Sequence, residues 1–324
     1  MTPEEFGDLL VIAWEELRKT DWHWFSYHFF NGPRPFAVSI MEACASINSR
    51  ATGMGTSLLR ELLSIGGLNR HQPHYEQLIQ KLAEILVIER IVTSDWPAGT
   101  TFEHEPSSFP GGPRPELLVT FPGGRLVVEV KTPSMLNHIR QRHGNGTQLT
   151  YRGVLSPDHA RKTVGQDGLT LPRDYPVRDF LIDADRKFAG FRDGNTASLL
   201  VVVWDDFIYE PISILVNERS GLLTPNSFER DEKGEARTYP NVDAVVALRH
   251  MNYFIAGSRD EPFGDRESAM DFGDARALPN VFFDVSDVSR IPAHLLEQLR
   301  AYPYDDVGLQ MMAEYNIQDM VFWL

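Results

Sequence analysis

The 324-residue sequence has a single cysteine, Cys44, which excludes a disulfide framework and any zinc site built from several cysteines. Long hydrophobic runs are also missing. The stretch Leu199–Trp204 is among the longest, far short of the roughly 20 residues that a transmembrane helix needs. The first residues lack the basic start and apolar segment of a signal peptide. We therefore expect a cytoplasmic protein with no membrane partner.

Basic residues are scarce relative to acidic ones, at 31 against 45, and the formal net charge is −14. Taken over the whole chain, this charge argues against a nucleic-acid partner, because neutralising phosphates requires lysine and arginine. Hydrophobic residues make up 42% of the chain, enough to offset the entropy of an ordered chain. The composition therefore predicts a globular protein with one large domain or two unequal ones.

The first 70 residues are predicted to be helical, because apolar residues recur at helical spacing, with a second helical stretch over about residues 36–65. Six aromatic residues lie within residues 22–30, which leaves two interpretations open. They form a stacking platform for nucleic acid, or a packed core or dimer contact; the lack of interleaved basic residues favours the second. A homodimer or a partner subunit would bind through this region.

The rest of the chain alternates predicted strands and helices. An amphipathic helix is predicted over about residues 73–92, and a further helix over 177–191. Strands are predicted at 101–105, 116–121, 125–131, 198–204, 212–216, 242–248 and 281–285. Helices follow residue 292. This order predicts an α/β fold with a mixed central sheet flanked by helices. We divide the chain into a helical N-terminal region, 1–70, and a sheet-containing domain, 71–324, with a C-terminal extension.

The hairpin predicted over residues 116–131 brings chemically useful residues to one face of the sheet. With Pro122-Gly123 as its two-residue turn, Glu116 lies opposite Glu129; with Gly123-Gly124 as the turn, Glu116 lies opposite Lys131. In both registers these three side chains share a face, and the other face is apolar. Paired carboxylates favour a bound Mg²⁺ or Mn²⁺, and a neighbouring lysine suits phosphodiester hydrolysis. An exposed hairpin with an ordinary cross-strand Glu–Lys pair gives the same pattern.

These residues resemble the motif of the PD-(D/E)XK, or restriction-endonuclease-like, nuclease superfamily. Pro115-Glu116 is followed by twelve residues and then by Glu129-Val130-Lys131, and the order helix, strand, hairpin, helix, buried strand resembles the core of this family. Glu116 stands where the family more usually has aspartate. The resemblance implies that Glu116, Glu129 and the Val130 carbonyl bind the metal, and that Lys131 serves the attacking water.

The resemblance also implies further site residues on the two flanking helices. The helix before the hairpin often supplies another acid in this family, for which Glu76 is the best match and Glu84 a weaker alternative. The helix after the hairpin often carries a basic residue toward the site, a role that Arg186 or Lys187 would fill.

The charge is unevenly distributed along the chain. Residues 114–193 contain 13 basic and nine acidic residues, and residues 131–173 contain seven against two. A basic segment that begins at the predicted metal site suits contact with a phosphate backbone, through Arg140, Arg142, Arg161 and Lys162. We therefore expect a divalent-metal-dependent nuclease acting on DNA, in prokaryotic defence or DNA processing. The alternative is a non-catalytic nucleic-acid-binding or scaffold subunit on the same fold.

Overall fold

A computed structural model describes residues 2–30, 32–134, 148–151, 162, 169–170, 174–318 and 320–323. The fold is α/β, with a seven-stranded mixed sheet flanked by helices. The helices are α1 (Pro3–Leu17), α2 (Ser26–Phe29), α3 (Pro35–Arg50), α4 (Met54–Ser64), α5 (Gln72–Val92), α6 (Asp174–Ala189), α7 (Tyr209–Val216), α8 (Met251–Gly257), α9 (Ala293–Gln298) and α10 (Val307–Gln310). In the part of the chain that the structure covers, no helix is both long and apolar enough to cross a bilayer.

The large sheet has the strand order β1-β2-β3-β6-β7-β8-β9. Its strands are β1 (Thr101–His104), β2 (Leu117–Phe121), β3 (Gly124–Lys131), β6 (Thr196–Trp204), β7 (Ala244–Arg249), β8 (Asn280–Asp284) and β9 (Ala301–Pro303), and a small second sheet contains β4 (Gln148–Tyr151), β5 (Leu169–Thr170) and β10 (Met320–Trp323). The first three strands form an antiparallel meander, and β6 then lies parallel to β3. The central strand β6 is buried along its whole length, which explains its continuous apolar sequence.

One face of the sheet packs against α5 and the N-terminal helices. Helices α1, α3 and α4 share with α5 and the strands a single cluster of buried apolar residues, which includes Phe25 and Phe29 from the aromatic segment. Helices α3 and α4 approach closely at Gly55, where a Cβ atom would lie 1.9 Å from the carbonyl oxygen of Cys44. The aromatic segment therefore contributes to a core, whereas the division of the chain at residue 70 stays a prediction.

The other face of the sheet packs against α6 and α7. Its buried cluster combines alternate residues of the strands, such as Val127 and Leu200, with Leu181 and Phe188 of α6. Because side chains alternate between the faces along a strand, Glu129 and Lys131 project to this side together with Val127. The acidic and basic residues of β3 consequently face helix α6.

Two predicted elements differ from the structure. The helical stretch predicted over residues 36–65 is two helices, separated at Gly53, which adopts a φ of +82°. The strand predicted at residues 212–216 is wrong, because these residues belong to helix α7. Residues Glu210 to Leu215 are all buried, so the segment has no polar face from which a helical period could be recognised.

A buried aspartate, Asp243, lies directly before β7 and links it to β6 and to the segment after β8. Both carboxylate oxygens of Asp243 accept hydrogen bonds from Arg192, at 2.6 and 2.7 Å, and one also accepts from the backbone N–H of Ser198 at 2.9 Å. Burial alone would raise the pKa of Asp243, but the hydrogen bonds from Arg192 and Ser286 lower it below its usual value. Asp243 therefore stabilises the fold above its ordinary pKa, and this contribution is lost as the pH falls.

We expect Asp243→Asn to lower the free energy of unfolding by about 2 kcal/mol at pH 7, because Arg192 loses a charged acceptor. Urea denaturation measures the change. The control is Asp179→Asn, which alters an exposed carboxylate bound to its neighbour Arg178 and is expected to change stability by less than about 1 kcal/mol. Equal effects of the two substitutions would contradict the structural role assigned to Asp243.

Candidate active site

The hairpin between β2 and β3 adopts the register that places the two predicted acids opposite each other. Phe121 pairs with Gly124, so Pro122-Gly123 is the turn, and Gly123 adopts a φ of +104° that glycine tolerates. The pairing furthest from the turn joins Leu117 to Val128. Continuing this register by one residue puts Glu116 opposite Glu129, as the first of the two predicted registers requires.

Strand β3 extends beyond the start of β2. Residues 129–131 have no partner in β2, but they pair on their other side with residues 200–202 of β6. This overhang leaves one edge of β3 open beside Glu116. Side chains from α5 on one face and from α6 on the other therefore meet the end of the hairpin there.

Glu129 is the centre of this group and is fully buried. Its Oε1 atom contacts two lysine ammonium groups, Lys187 at 2.5 Å and Lys131 at 2.6 Å. Its Oε2 atom is also buried, yet none of the described residues donates a hydrogen bond to it. A buried carboxylate oxygen without a donor is costly, so this atom has free capacity to bind a cation or a ligand.

Helix α6 supplies a second carboxylate to the same lysines. Asp183 Oδ2 lies 3.0 Å from Lys131 Nζ and 3.7 Å from Lys187 Nζ, and Asp183 Oδ1 accepts a hydrogen bond from Arg186 at 2.5 Å. Burial alone would lower the pKa of Lys131, but Glu129 and Asp183 outweigh this effect and raise it. Lys131 is therefore a cation at neutral pH and acts as a hydrogen-bond donor.

Glu116 lies among like charges. Burial, followed by the negative charges of Glu84 and Glu129, raises the pKa of Glu116 to about 8, although Lys187 and Lys81 act in the opposite direction. Glu84 is itself largely buried on α5 and forms an ion pair with Lys81; burial also raises its pKa. The negative charges of these three carboxylates thus act on one another, and their repulsion is relieved by a proton on Glu116 or by a bound cation.

The residues present fit a divalent cation that prefers oxygen ligands. The unpartnered Oε2 of Glu129 and the carboxylate of Glu116 are hard donors of the kind that Mg²⁺ and Mn²⁺ bind. The side chain of Val130 is buried in the apolar face of the sheet, so this residue can contribute through its backbone carbonyl alone. Its part in binding a cation stays a prediction.

Glu76 lies away from this group. Its Oε1 accepts a hydrogen bond from Gln72, and its side chain lines a small cavity with Thr132 and Pro133, beyond the end of β3. Glu84 is eight residues further along α5, about 12 Å along the helix axis. The structure therefore places Glu84, rather than Glu76, beside the two acids of the hairpin.

The predicted nucleic-acid-binding residues have different positions. Lys187 is part of the site, in contact with Glu129, whereas Arg186 is exposed and bound to Asp183. Lys162 is exposed. Arg140, Arg142 and Arg161 lie outside the described residues.

Two members of the site were missed by sequence reasoning. Lys81 lies one turn before Glu84 on the polar side of α5, and Asp183 lies four residues before Lys187 on α6. Both spacings place the side chains on one face of a helix, a signal that the sequence contains. Nothing in the sequence shows, however, that these two faces turn toward the hairpin.

No protein-family model matches the chain, and no curated protein or solved structure is significantly similar to it. Its function must therefore follow from the geometry and chemistry of the site.

Proposed function

We propose that this protein is a divalent-metal-dependent nuclease that hydrolyses phosphodiester bonds of DNA, with a PD-(D/E)XK active site. The observation that carries the proposal is the environment of Glu129. One of its buried oxygens is bound by Lys131 and Lys187, while the other has no donor among the described residues, and the hairpin register puts Glu116 opposite Glu129. This arrangement combines a site for a cation with a neighbouring positive charge.

The topology supports the same proposal. Helix α5 precedes an antiparallel meander of β1, β2 and β3, and after helix α6 the chain enters β6, parallel to β3. This order matches the one that the resemblance to the PD-(D/E)XK superfamily implies. The candidate acids lie directly before β2 and near the end of β3.

The residues of the site divide the chemistry between them. Glu116, Glu129 and the Val130 carbonyl would hold a Mg²⁺ or Mn²⁺ ion, which supplies Lewis-acid polarisation of the phosphate and a more acidic water. Lys131 is already protonated, so it donates a hydrogen bond to the attacking water or to the phosphate oxygen that gains charge. Lys187 and Asp183 hold Glu129 and Lys131 in position.

The alternative is a non-catalytic nucleic-acid-binding or scaffold subunit on the same fold. One observation favours it: two lysines already neutralise Glu129, so a purely structural ion-pair network would also be stable. Binding of DNA through Arg186, Lys162 and the basic segment is common to both functions. Defence and DNA processing are settings suggested by analogy with the family alone.

The two functions are separated by incubating the full chain with plasmid DNA, single-stranded DNA and RNA in Mg²⁺, Mn²⁺ or EDTA. We expect cleavage of DNA with either metal and none in EDTA. Binding without cleavage in both metals would support the scaffold, and cleavage of RNA alone would show that the substrate class is wrong.

The same assay identifies the acid that helix α5 contributes. We expect Glu84→Gln to lower the cleavage rate about tenfold, because Glu84 sets the charge around Glu116 and Glu129. Glu76→Gln is the matched control on the same helix and is expected to leave the rate within twofold. The reverse result would make Glu76 the functional acid, as the sequence indicated.

A further inference from the structure

A second group of side chains that could hold a metal ion adjoins the proposed nuclease site but shares none of its proposed ligands. Glu61 of α4, His104 at the end of β1 and Glu105 directly after it each present a ligand atom, and these atoms all lie within 4.8 Å of one another. Among the residues that the structure describes, this is the only group of three histidine, cysteine, aspartate or glutamate residues whose ligand atoms come this close together. Glu61 comes from α4 and the other two residues from the end of β1, so the group is brought together by tertiary packing.

We propose that Glu61, His104 and Glu105 bind a divalent transition-metal ion. One imidazole nitrogen with two carboxylates is a donor set for ions such as Zn²⁺ or Mn²⁺, and the nitrogen disfavours Mg²⁺ and Ca²⁺. Solvent molecules would complete the coordination, since Glu61 and Glu105 are about two-fifths exposed, with side-chain exposures of 40% and 45%.

The imidazole of His104 supplies an observation independent of the clustering. Its Nε2 atom is buried and has no hydrogen-bond partner among the described residues. A ring nitrogen in this state normally pairs with a donor or an acceptor, and a bound ion would satisfy it at once. A buried ring nitrogen without a partner, on a half-buried histidine grouped with two carboxylates, points to a ligand.

The backbone holds the histidine and the second glutamate in place. The N–H of Glu105 donates a hydrogen bond to the carbonyl oxygen of Glu116 at 3.0 Å, which continues the pairing of β1 with β2. Glu61 is bound by Lys81 at 2.9 Å, and Glu105 lies 3.7 Å from Arg114. These two cations balance part of the negative charge, so the site is preformed before an ion enters.

The proposed second site shares no ligand with the nuclease site. Its donor set includes a nitrogen, whereas Glu116, Glu129 and the Val130 carbonyl offer oxygen alone. The inference therefore does not rest on the proposed function, and a spectroscopic signal from nitrogen distinguishes the two sites.

The test is binding of Mn²⁺ to the full chain, followed by electron-spin-echo measurement of ¹⁴N coupling. We expect one Mn²⁺ ion coupled to an imidazole nitrogen in the wild type. His104→Gln should abolish the coupling and weaken binding of this ion at least tenfold. Glu116→Gln should leave the coupling unchanged, which separates this result from the fate of the nuclease proposal.

His294→Gln is the matched control, because the Nε2 of His294 is also buried and has no hydrogen-bond partner within the described part of the chain, but lies outside the group of ligand atoms. It should retain the coupling. Coupling that persists in His104→Gln, or that is absent from the wild type at saturating Mn²⁺, would overturn the proposal. If His104→Gln does not fold, Glu61→Gln, a substitution at a half-exposed position, replaces it in the test. An affinity for Mn²⁺ that is unchanged in Glu61→Gln would also overturn the proposal.

Discussion

Replacing Lys131 with methionine is expected to slow DNA cleavage about 10²- to 10³-fold, since the reaction loses a cation beside Glu129 that can stabilise charge on the phosphate. The fold should survive, because Glu129 keeps its contact with Lys187 and methionine fills the space of the lysine stem. Single-turnover cleavage rates at saturating Mg²⁺ measure the effect, and thermal melting confirms that the variant is folded.

Arg186→Met is the matched control for Lys131→Met. Arg186 is an exposed cation that also contacts Asp183, but it does not reach Glu129. We expect a severalfold rise in KM with kcat unchanged, as for a residue that contacts only the DNA backbone. If a folded Lys131→Met protein cleaves DNA as fast as the wild type, Lys131 has no part in the chemistry.

Glu116→Gln is expected to be more stable than the wild type at pH 9, and about equally stable at pH 4, when divalent cations are absent. The pKa of Glu116 is raised to about 8, because the folded protein buries it and surrounds it with Glu84 and Glu129. The groups facing it with opposite charge are Lys81 on α5 and Lys187 on α6.

The direction of this pH-dependent difference in stability follows from proton linkage. A carboxyl group whose folded pKa lies above its unfolded value favours the folded state below the unfolded pKa, and this stabilisation is lost as the pH rises through the folded pKa. Between about pH 4.5 and pH 8 the wild type therefore loses up to about 5 kcal/mol relative to the Glu116→Gln variant. Denaturant titrations in EDTA at several pH values measure this difference.

Glu103→Gln is the control for this experiment, because Glu103 is an exposed glutamate on the adjacent strand β1. The stability of Glu103→Gln should equal that of the wild type at every pH. At pH 9, added Mg²⁺ should raise the stability of the wild type but not that of Glu116→Gln. The cation takes the place of the proton between Glu116 and Glu129, and the variant lacks one of these two carboxylates. A difference between wild type and Glu116→Gln that does not change with pH would mean that Glu116 titrates normally.

Much of the site could be predicted from local sequence. The alternation of apolar and polar residues and the turn at Pro122-Gly123 fix which side chains of β2 and β3 share a face, and the structure has one of the two registers so predicted. The coarse fold was equally accessible, because a buried strand such as β6 and an amphipathic helix such as α5 have distinct patterns. The sheet with flanking helices is confirmed, whereas the assignment to the nuclease superfamily stays a proposal.

Other features depend on tertiary packing that a single sequence does not encode locally. Helix α7 is buried on every side and therefore resembles a strand in sequence. The choice between Glu76 and Glu84 depends on the position of α5 along the sheet, because this helix carries an acid at both places. The group of Glu61, His104 and Glu105 joins residues more than 40 positions apart, so no spacing rule could find it.

The two-residue turn of the hairpin has a consequence for how such a site could evolve. If the turn stays at two residues, inserting one residue there shifts the pairing by one position and moves Glu116 to the opposite face of the sheet from Glu129, whereas two inserted residues leave the acids on a common face. Homologous chains that keep both this pair of acids and a two-residue turn should therefore differ in hairpin length by an even number of residues. Insertions of odd length should occur together with a longer turn or a β-bulge.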